Sequence, residues 1–364
     1  MRTLSNVTQV GLDNHREFAS VSCRDGSGKI VRRFRLSYRD RAVVREQLAA
    51  FAPGTPVVVE GTFGWSWICQ EISEAGLSPR LASSRKVDAY RKAKSTSKSN
   101  RIDADLLAEL PLTDPWWQVW LPPMQVQGWR ELLRYRMSMV KGQTQTKNRI
   151  HAALHRHGIL HGFSDLFGVA GRKFLALLTE ADACTLPQST TFVLRGYLKS
   201  LDDHRRSIAQ ANRQARPILC HCPVADRLLS LPGIGFVLAY TILAEVGDFS
   251  RFRNGARLCS YSTLAPRAYD SGNDGADGQS PIGRHIGHAG RRALKWAWIE
   301  AAHGAVKKDA YFRDIFNRRT NNGKRDKNRG YIVVARQLCR IAYVCIRDDR
   351  NYREPAKSSL TTEL

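Results

Sequence analysis

Four residues in the first third of this sequence have the types and spacing for chemistry on phosphates. Asp13 and Glu60 each end an apolar, β-branched run, and Asn100 and Asp103 stand three residues apart in a helical pattern, which places them on one helix face. Carboxylate and amide oxygens bind Mg²⁺ or Mn²⁺, which activates a nucleophile and neutralises charge developing on a phosphate. A lone carboxylate is more often a cap or a surface charge. The set stands out because two of its members end predicted strands.

A hydroxyl among cations, that of Ser271, is a second candidate. It follows a Pro-Gly-Ile-Gly turn at 232–235, an apolar helix to Val246 and a short second helix. Gly233 and Gly235 allow a tight turn, and such a turn either approaches a phosphate at the next helix or, more commonly, is a plain helix entry. Cationic side chains that could clamp a phosphate near Ser271 are Arg267, Arg284, His285, Arg291 and Arg292. Composition alone would make 270–273 an ordinary turn.

The acids must be positioned by an alternation of strands and helices in the first 110 residues. The patterns predict strands at 7–12, 18–24, 30–36 and 56–59, and helices at 38–51, 65–75 and 101–110. Three meandering strands, a helix and a further strand are typical of an α/β ribonuclease-H-like fold. In that fold the ends of adjacent strands lie side by side, so we expect Asp13 and Glu60 to share one metal ion.

The remaining chain is predicted to be mainly helical. Residues 111–124 form a Pro/Trp linker whose tryptophans we expect to pack onto a neighbouring domain rather than stack on bases. Helices at 125–158 and 190–216 form a hairpin or coiled coil within 125–222. A mainly α domain occupies 223–349, with helices at 291–307 and 330–347, and 350–364 is a disordered tail. A cationic loop between those helices, suited to phosphates, carries Arg318, Arg319, Lys324, Arg325, Lys327 and Arg329.

Composition restricts the partners. The 364 residues carry 57 Lys and Arg against 33 Asp and Glu, a formal net charge of +24, which favours nucleic acid or an anionic membrane. The longest apolar run, 236–243, is too short to span a membrane and no signal peptide is visible, so we expect no membrane partner. The eight cysteines are scattered like reduced intracellular ones, and the spacing of Cys220 and Cys222 is too tight for a zinc knuckle.

Several motifs together resemble one known family. They are Gly11-Leu12-Asp13, the Val-Val-Val-Glu-Gly-Thr run at 57–62, the Lys-Ser-Asn-Arg-Ile-Asp-Ala run at 98–104, and the ordered C-terminal series from Leu231 to Gly272. They are similar to those of the bacterial insertion-sequence transposases numbered one hundred and ten. The members of that family have a RuvC-like DEDD domain and a C-terminal serine domain, and a structured bridge RNA guides their recombination. The similarity covers nearly the whole chain.

The resemblance implies roles for particular residues. The acidic tetrad falls on Asp13, Glu60, position 100 and Asp103, with Mg²⁺, or alternatively Mn²⁺, as cofactor, and the catalytic serine falls on Ser271. Ser271 is then expected to attack a DNA phosphate and hold the cut strand as a phosphoserine. This sequence departs from the pattern at Asn100, which lacks the usual acidic charge. Asp105 could compensate, although on a helix it points to a different face.

The resemblance also implies partners and a location. We expect target and donor DNA, a structured guide RNA, a homodimer or homotetramer, and a bacterial cytoplasmic, nucleoid-associated protein. Two other functions stay open. One is a metal-dependent junction nuclease in which water attacks and Ser271 is incidental. The other is a nucleic-acid-binding homologue whose chemistry is impaired by Asn100.

Overall fold

The computed structural model describes residues 6–94, 99–180, 186–265 and 291–353. The chain divides into two compact units, Met1–Pro122 and Pro123–Leu364. The division into five segments made from the sequence stays a prediction. None of the helices in the described part is both long enough and apolar enough to cross a membrane.

The N-terminal unit is built on a mixed sheet with the strand order β3-β2-β1-β4-β5. Strands β1, β2 and β3 form an antiparallel meander, whereas β4 and β5 run parallel to β1. This mixed sheet followed by helices confirms the predicted α/β, ribonuclease-H-like fold class. Its elements are β1 (Val7–Asn14), β2 (Phe18–Asp25), β3 (Ile30–Ser37), α1 (Arg41–Leu48), β4 (Pro56–Glu60), α2 (Trp65–Glu74), β5 (Ser78–Ala82), α3 (Ser84–Ala93) and α4 (Asn100–Glu109).

Two elements of this unit were missed by the sequence patterns. Strand β5 is short and contains Pro79, which a strand tolerates at the edge of a sheet, where β5 lies. The helix that follows it, α3, is so polar that only Val87 is buried. The hydrophobic periodicity that reveals a helix is therefore weak in this stretch.

The Pro/Trp linker folds back onto its own unit. Trp117 is fully buried, and its indole nitrogen donates to the carbonyl of Pro111 at 2.8 Å. The backbone continues alongside β5, because Val119 N donates to Leu81 O at 2.9 Å. The prediction that these tryptophans pack rather than stay free for bases is thus confirmed for Trp117, but the predicted location is wrong, because Trp117 packs within its own unit and not onto a neighbouring domain.

The C-terminal unit begins with a long helical hairpin. Helices α5 (Met124–Arg156) and α7 (Gln188–Cys220) run antiparallel: Arg136 Nε donates to Asn212 Oδ1 at 2.7 Å, and Thr190 Oγ1 lies 3.0 Å from His157 Nε2 near the other end. The predicted hairpin is confirmed. A short helix absent from the prediction, α6 (Val169–Leu177), lies between its two arms in the chain.

The rest of this unit is helical, and one of its helices, α9, is largely buried. The elements are α8 (Pro223–Leu229), α9 (Phe236–Val246), α10 (Gly255–Tyr261), α11 (Arg292–Lys308), α12 (Ala310–Thr320) and α13 (Lys327–Arg347). Gly233 has φ +83°, and a Cβ there would lie 2.2 Å from Ala301 O of α11. Of the two interpretations of the 232–235 turn, the structure therefore supports the plain helix entry at Gly233, because this glycine approaches the backbone of a neighbouring helix.

Candidate functional site

The strand register places Asp13 beside Glu60. Leu12 of β1 and Val59 of β4 are partners in the parallel ladder, and the two acids follow them directly. Residues at the same level of adjacent strands point to the same face of a sheet. Asp13 is only 6% exposed and Glu60 is half-buried. Both acids thus stand at one strand end, on one face.

Helix α4 covers that face. A Cβ on Gly11 would lie 2.2 Å from Ala104 O, so the helix contacts the strand backbone itself. Further back along β1, Gln9 Nε2 donates to Leu110 O at 2.9 Å. The helix therefore runs antiparallel to β1 and directs its first turn, which carries Asn100 and Asp103, toward the end of the strand at Asp13.

The first turn of α4 is fixed by its cap, and its two candidate ligands differ in surroundings. Ser99 Oγ accepts a hydrogen bond from Ile102 N at 3.3 Å, which caps the helix. Asn100 is exposed. The carboxylate of Asp103 lies 3.7 Å from the guanidinium of Arg91 on α3. Asp103 thus already has a cation beside it.

Asp105 is committed elsewhere. Its carboxylate accepts hydrogen bonds from Ser22 Oγ at 2.6 Å and from Arg33 Nε at 2.8 Å, on β2 and β3. Burial raises its pKa, but the hydrogen bonds from Arg33 and Ser22 outweigh burial, and the net shift lowers the pKa of Asp105. Asp105 anchors α4 to the meander and does not replace the acid missing at position 100.

Beside Asp13 the structure places a histidine that the sequence analysis did not single out. His15 Nε2 lies 3.0 Å from Asp13 Oδ2. The residue between them, Asn14, accepts a hydrogen bond at Oδ1 from Tyr38 Oη at 2.6 Å, and burial, with a contribution from the charge of Asp13, raises the pKa of Tyr38. The available signal was spacing, because residues two apart on an extended chain share a face.

The donor types of the acidic set suit a hard divalent cation, since they are three carboxylates and one amide oxygen. Within the described residues, no three His, Cys, Asp or Glu side chains already converge as a ligand group. Asp13 faces His15, and Asp103 faces Arg91. The residues therefore fit such an ion by chemistry and by strand register, and its binding stays a prediction.

In the C-terminal unit, Ser271 and three of the cationic residues predicted to lie near it are outside the described residues. Ser271, Arg267, Arg284 and His285 fall in 266–290, which the described ranges omit. The residues on either side are held by the fold of this unit: Leu264 is fully buried, and Arg291 donates a hydrogen bond to the carboxylate of Glu245 at 2.6 Å. Arg292, the first residue of α11, is exposed.

Three guanidinium groups surround the C-terminal end of α9. Arg130 donates to Ala244 O at 3.0 Å and Glu245 O at 2.9 Å, and Arg251 donates to Val246 O at 3.1 Å. Arg251 and Arg291 also lie over the ring of Tyr261. Burial, together with the charge of Arg291, lowers the pKa of Arg130 to about 10. We call these residues, Arg130, Glu245, Arg251, Tyr261 and Arg291, the α9 cluster.

The α9 cluster carries more positive than negative charge, with three guanidinium groups and one carboxylate. The carbonyls at a helix C-terminus attract cations, which explains part of the arrangement. Of these residues, Arg291 alone is predicted from the sequence to have a role. The available signal was Glu245, a single acid in the otherwise apolar helix α9.

Half of the predicted cationic loop, 318–329, is helix. Arg318 and Arg319 belong to α12, while Lys327 and Arg329 belong to α13, so the turn between them spans 321–326. The loop prediction was wrong because Phe312 and Phe316, one helical turn apart, bury a face of α12 that the dense charge conceals in the sequence.

Hydrogen bonds fix the backbone of this turn, which carries the cationic side chains. The carbonyl oxygen of Thr320 accepts a hydrogen bond from Arg325 N at 2.7 Å, and the Oγ1 of Thr320 accepts one from Gly323 N at 3.0 Å. Asp326 caps α13 by accepting from Asn328 N at 3.0 Å. The cations Arg318, Arg319, Lys324, Arg325 and Lys327 are exposed, and Arg329 is half-buried. We call this group the α12–α13 basic turn.

Comparison with known proteins finds two family matches. Residues 10–159 match a transposase family of the DEDD type from IS110, and residues 225–317 match the transposase IS116/IS110/IS902 family. The chain is 25% identical over 344 residues to the transposase for insertion sequence element IS1328 of Yersinia enterocolitica, covering 94% of this chain and 97% of that protein.

Two further relatives extend the comparison. A probable family 20 transposase of Pseudomonas aeruginosa is 25% identical over 354 residues, which cover 96% of this chain and 99% of the relative. The pilin gene-inverting protein of Moraxella bovis is 31% identical over 166 residues, which cover 43% of this chain and 50% of the relative.

Proposed function

Because this chain belongs to the IS110/IS116/IS902 family of transposases and is thus a DNA transposase, we propose that Ser271 is its nucleophile. Its hydroxyl oxygen bonds to a DNA phosphorus, and the bond from phosphorus to one deoxyribose oxygen breaks. The serine proton is lost, and the departing deoxyribose oxygen gains one. A hydroxyl of another strand then attacks the phosphoserine, which restores the serine and joins the DNA.

The observation that carries this proposal is the α9 cluster. Leu264 and Arg291, close to the two ends of the stretch that holds Ser271, are fixed by burial and by an ion pair. An excess of guanidinium charge stabilises a phosphate as it gains negative charge in the transition state. Arg251 and Arg291 are therefore the described residues that we assign to the phosphate, with Arg130 holding α9 beneath them.

The acidic set of the N-terminal unit has the second role in the proposal. Asp13, Glu60 and Asp103, with the amide oxygen of Asn100, would hold Mg²⁺ or Mn²⁺. Such an ion, when bound, supplies a Lewis acid that assists deprotonation of a nucleophile and neutralises charge on phosphate. Because Asn100 is uncharged, we expect weaker ion binding than a fourth carboxylate would give.

We further propose that the chain binds a structured guide RNA as well as target and donor DNA, which is what the family resemblance implies. The formal net charge of +24 suits two polyanionic partners. The α12–α13 basic turn has a capped, hydrogen-bonded backbone and exposed cations, and we assign it to backbone phosphates. Strand exchange needs at least two serine sites, so we expect a homodimer or homotetramer.

Matched serine variants test the nucleophile. Purified protein is incubated with its flanking noncoding RNA, Mg²⁺ or Mn²⁺, and labelled target and donor DNA, and the products are separated on denaturing gels before and after protease. We expect a slow, protease-sensitive DNA species that disappears in Ser271→Ala and persists in Ser280→Ala, a control nine residues away in the same stretch.

The same gels separate the alternatives. DNA cleavage that persists in Ser271→Ala without any protease-sensitive species would contradict the proposal and favour a junction nuclease that uses water. A large gain of activity in Asn100→Asp would show that the natural acidic set is impaired. Binding without cleavage in either protein would favour a homologue that only binds nucleic acid.

A further inference from the structure

His15 lies directly beside Asp13, at the strand end that carries two members of the acidic set. Its Nε2 is buried and lies 3.0 Å from Asp13 Oδ2, while the side chain as a whole keeps 29% of its surface exposed. His15 is two residues beyond Asp13 and immediately follows β1. The imidazole therefore adds a nitrogen donor at the strand end that already holds Asp13 and Glu60.

The contact between the two side chains lacks the geometry of a hydrogen bond. Nε2 of His15 forms no hydrogen bond within the described part of the chain, even though Oδ2 is only 3.0 Å away. Two ligands about 2.1 Å from an octahedral ion are about 3.0 Å from each other when adjacent. The observed separation is thus the one expected for neighbouring ligands of a single ion.

A turn hydrogen bond and a neighbouring ring restrain the side chain of His15. Its backbone N donates to Phe18 O at 2.9 Å, which closes the turn between β1 and β2. The imidazole ring packs against the ring of Phe18 at a centroid distance of 4.6 Å. The guanidinium carbon of Arg35 lies over the same Phe18 ring, 3.5 Å from its centroid. The turn and the ring contact therefore restrain the position of the imidazole beside Asp13.

We propose that His15 Nε2 binds the same divalent ion as Asp13, so that this chain uses one imidazole in a set that lacks an acid at position 100. The inference rests on the acidic site of the proposed function. Imidazole nitrogen favours transition metals, whereas Mg²⁺ prefers oxygen. The ion best suited to this chain is therefore Mn²⁺ or a later first-row divalent ion.

Electron paramagnetic resonance of Mn²⁺ bound to the full-length protein tests the proposal without relying on activity. We expect one Mn²⁺ site with ¹⁴N coupling in the pulsed spectrum, absent in His15→Gln, whose amide offers oxygen at a similar reach. His155→Ala, a control at an exposed histidine, should keep the coupling. In His15→Ala we expect Mn²⁺ affinity to fall about tenfold and Mg²⁺ affinity to change much less.

The outcomes separate this inference from the function on which it rests. Mn²⁺ binding that requires Asp13 but shows no ¹⁴N coupling would overturn the role of His15 and leave the acidic site standing. Absence of any Mn²⁺ site that depends on Asp13 would overturn both. Coupling that survives in His15→Gln would assign the nitrogen to another residue and overturn the inference as well.

Discussion

Gly11 and Ala104 meet so closely that a Cβ on the glycine would lie 2.2 Å from the alanine carbonyl oxygen. Strand β1 and helix α4 therefore touch through their backbones. The contact lies two residues before Asp13 on the strand and one residue after Asp103 on the helix. A single glycine thus sets the distance between the strand and helix that carry the acidic set.

Gly11→Ala should accordingly damage both stability and the acidic set. The added methyl group meets backbone atoms that cannot rotate away, so we expect a loss of about 3 kcal/mol in the free energy of unfolding, the upper range for overpacking. Chemical denaturation measures it. Gly26→Ala is the control in the same unit, since its Cβ would meet only Thr8 Cγ2 at 3.7 Å. Equal effects in the two variants would contradict the close contact.

The pH dependence of folding stability should show that Asp105 anchors α4. The net effect of its surroundings lowers the pKa of Asp105 in the folded protein, so its ionisation stabilises the fold above the unfolded pKa of about 3.9. That contribution is lost as the pH falls through the folded pKa.

Asp105→Asn is therefore expected to be less stable than the natural protein at pH 7, with the difference shrinking below about pH 4. Denaturation midpoints measured between pH 7 and pH 2 check this. The exposed Asp114 provides the control variant Asp114→Asn. A difference between natural and Asp105→Asn proteins that does not change with pH would disprove the anchoring role.

The ion pair of Glu245 and Arg291 should be measurable as a coupling. Glu245 is 5% exposed and Arg291 keeps 30% of its side chain exposed, so solvent screens part of the interaction. A double-mutant cycle with Glu245→Gln and Arg291→Met should give a coupling of about 1 kcal/mol in unfolding free energy. Because the pair fixes one end of the stretch with Ser271, each single variant should also slow DNA cleavage. Additive effects on stability would show that the pair contributes nothing.

The α12–α13 basic turn should determine part of the salt dependence of nucleic-acid binding. Replacing Lys324, Arg325 and Lys327 together with alanine removes up to three phosphate contacts. The slope of log affinity against log salt should then fall by about 2 to 3. Fluorescence anisotropy over a series of salt concentrations measures the slope. Lys173→Ala, an exposed cation on α6, is the control, and an unchanged slope in the triple variant would exclude the turn from the interface.

Much of the architecture was accessible from sequence because it rests on local periodicity. The β-branched runs that end at Asp13 and Glu60 predicted neighbouring strand ends, and the register agrees with that placement. The long helical hairpin was equally clear. Strand β5 escaped because Pro79 and polar neighbours are compatible with an edge strand but do not indicate one. Helix α12 escaped because its charges outnumber its buried phenylalanines.

Long-range contacts explain what sequence could not give at the site. Arg130 donates to Ala244 and Glu245, more than a hundred residues away, and no local pattern marks that pairing. His15 did carry a local signal, its spacing of two residues from Asp13, but no pattern showed that its ring contacts that carboxylate. Asn100 is marked by its spacing from Asp103, but only the family resemblance reveals that it replaces an acid, since its exposed position on α4 is unremarkable in itself.

Tandem mass spectrometry of the covalent protein–DNA species tests the central claim most directly. After nuclease and trypsin, the attached nucleotide should be found on the peptide 268–284, which also contains Tyr269 and Ser280 as competing hydroxyls. We expect fragment ions to place the nucleotide on Ser271. A nucleotide on Tyr269 or Ser280, or DNA cut with no attached peptide at all, would contradict it.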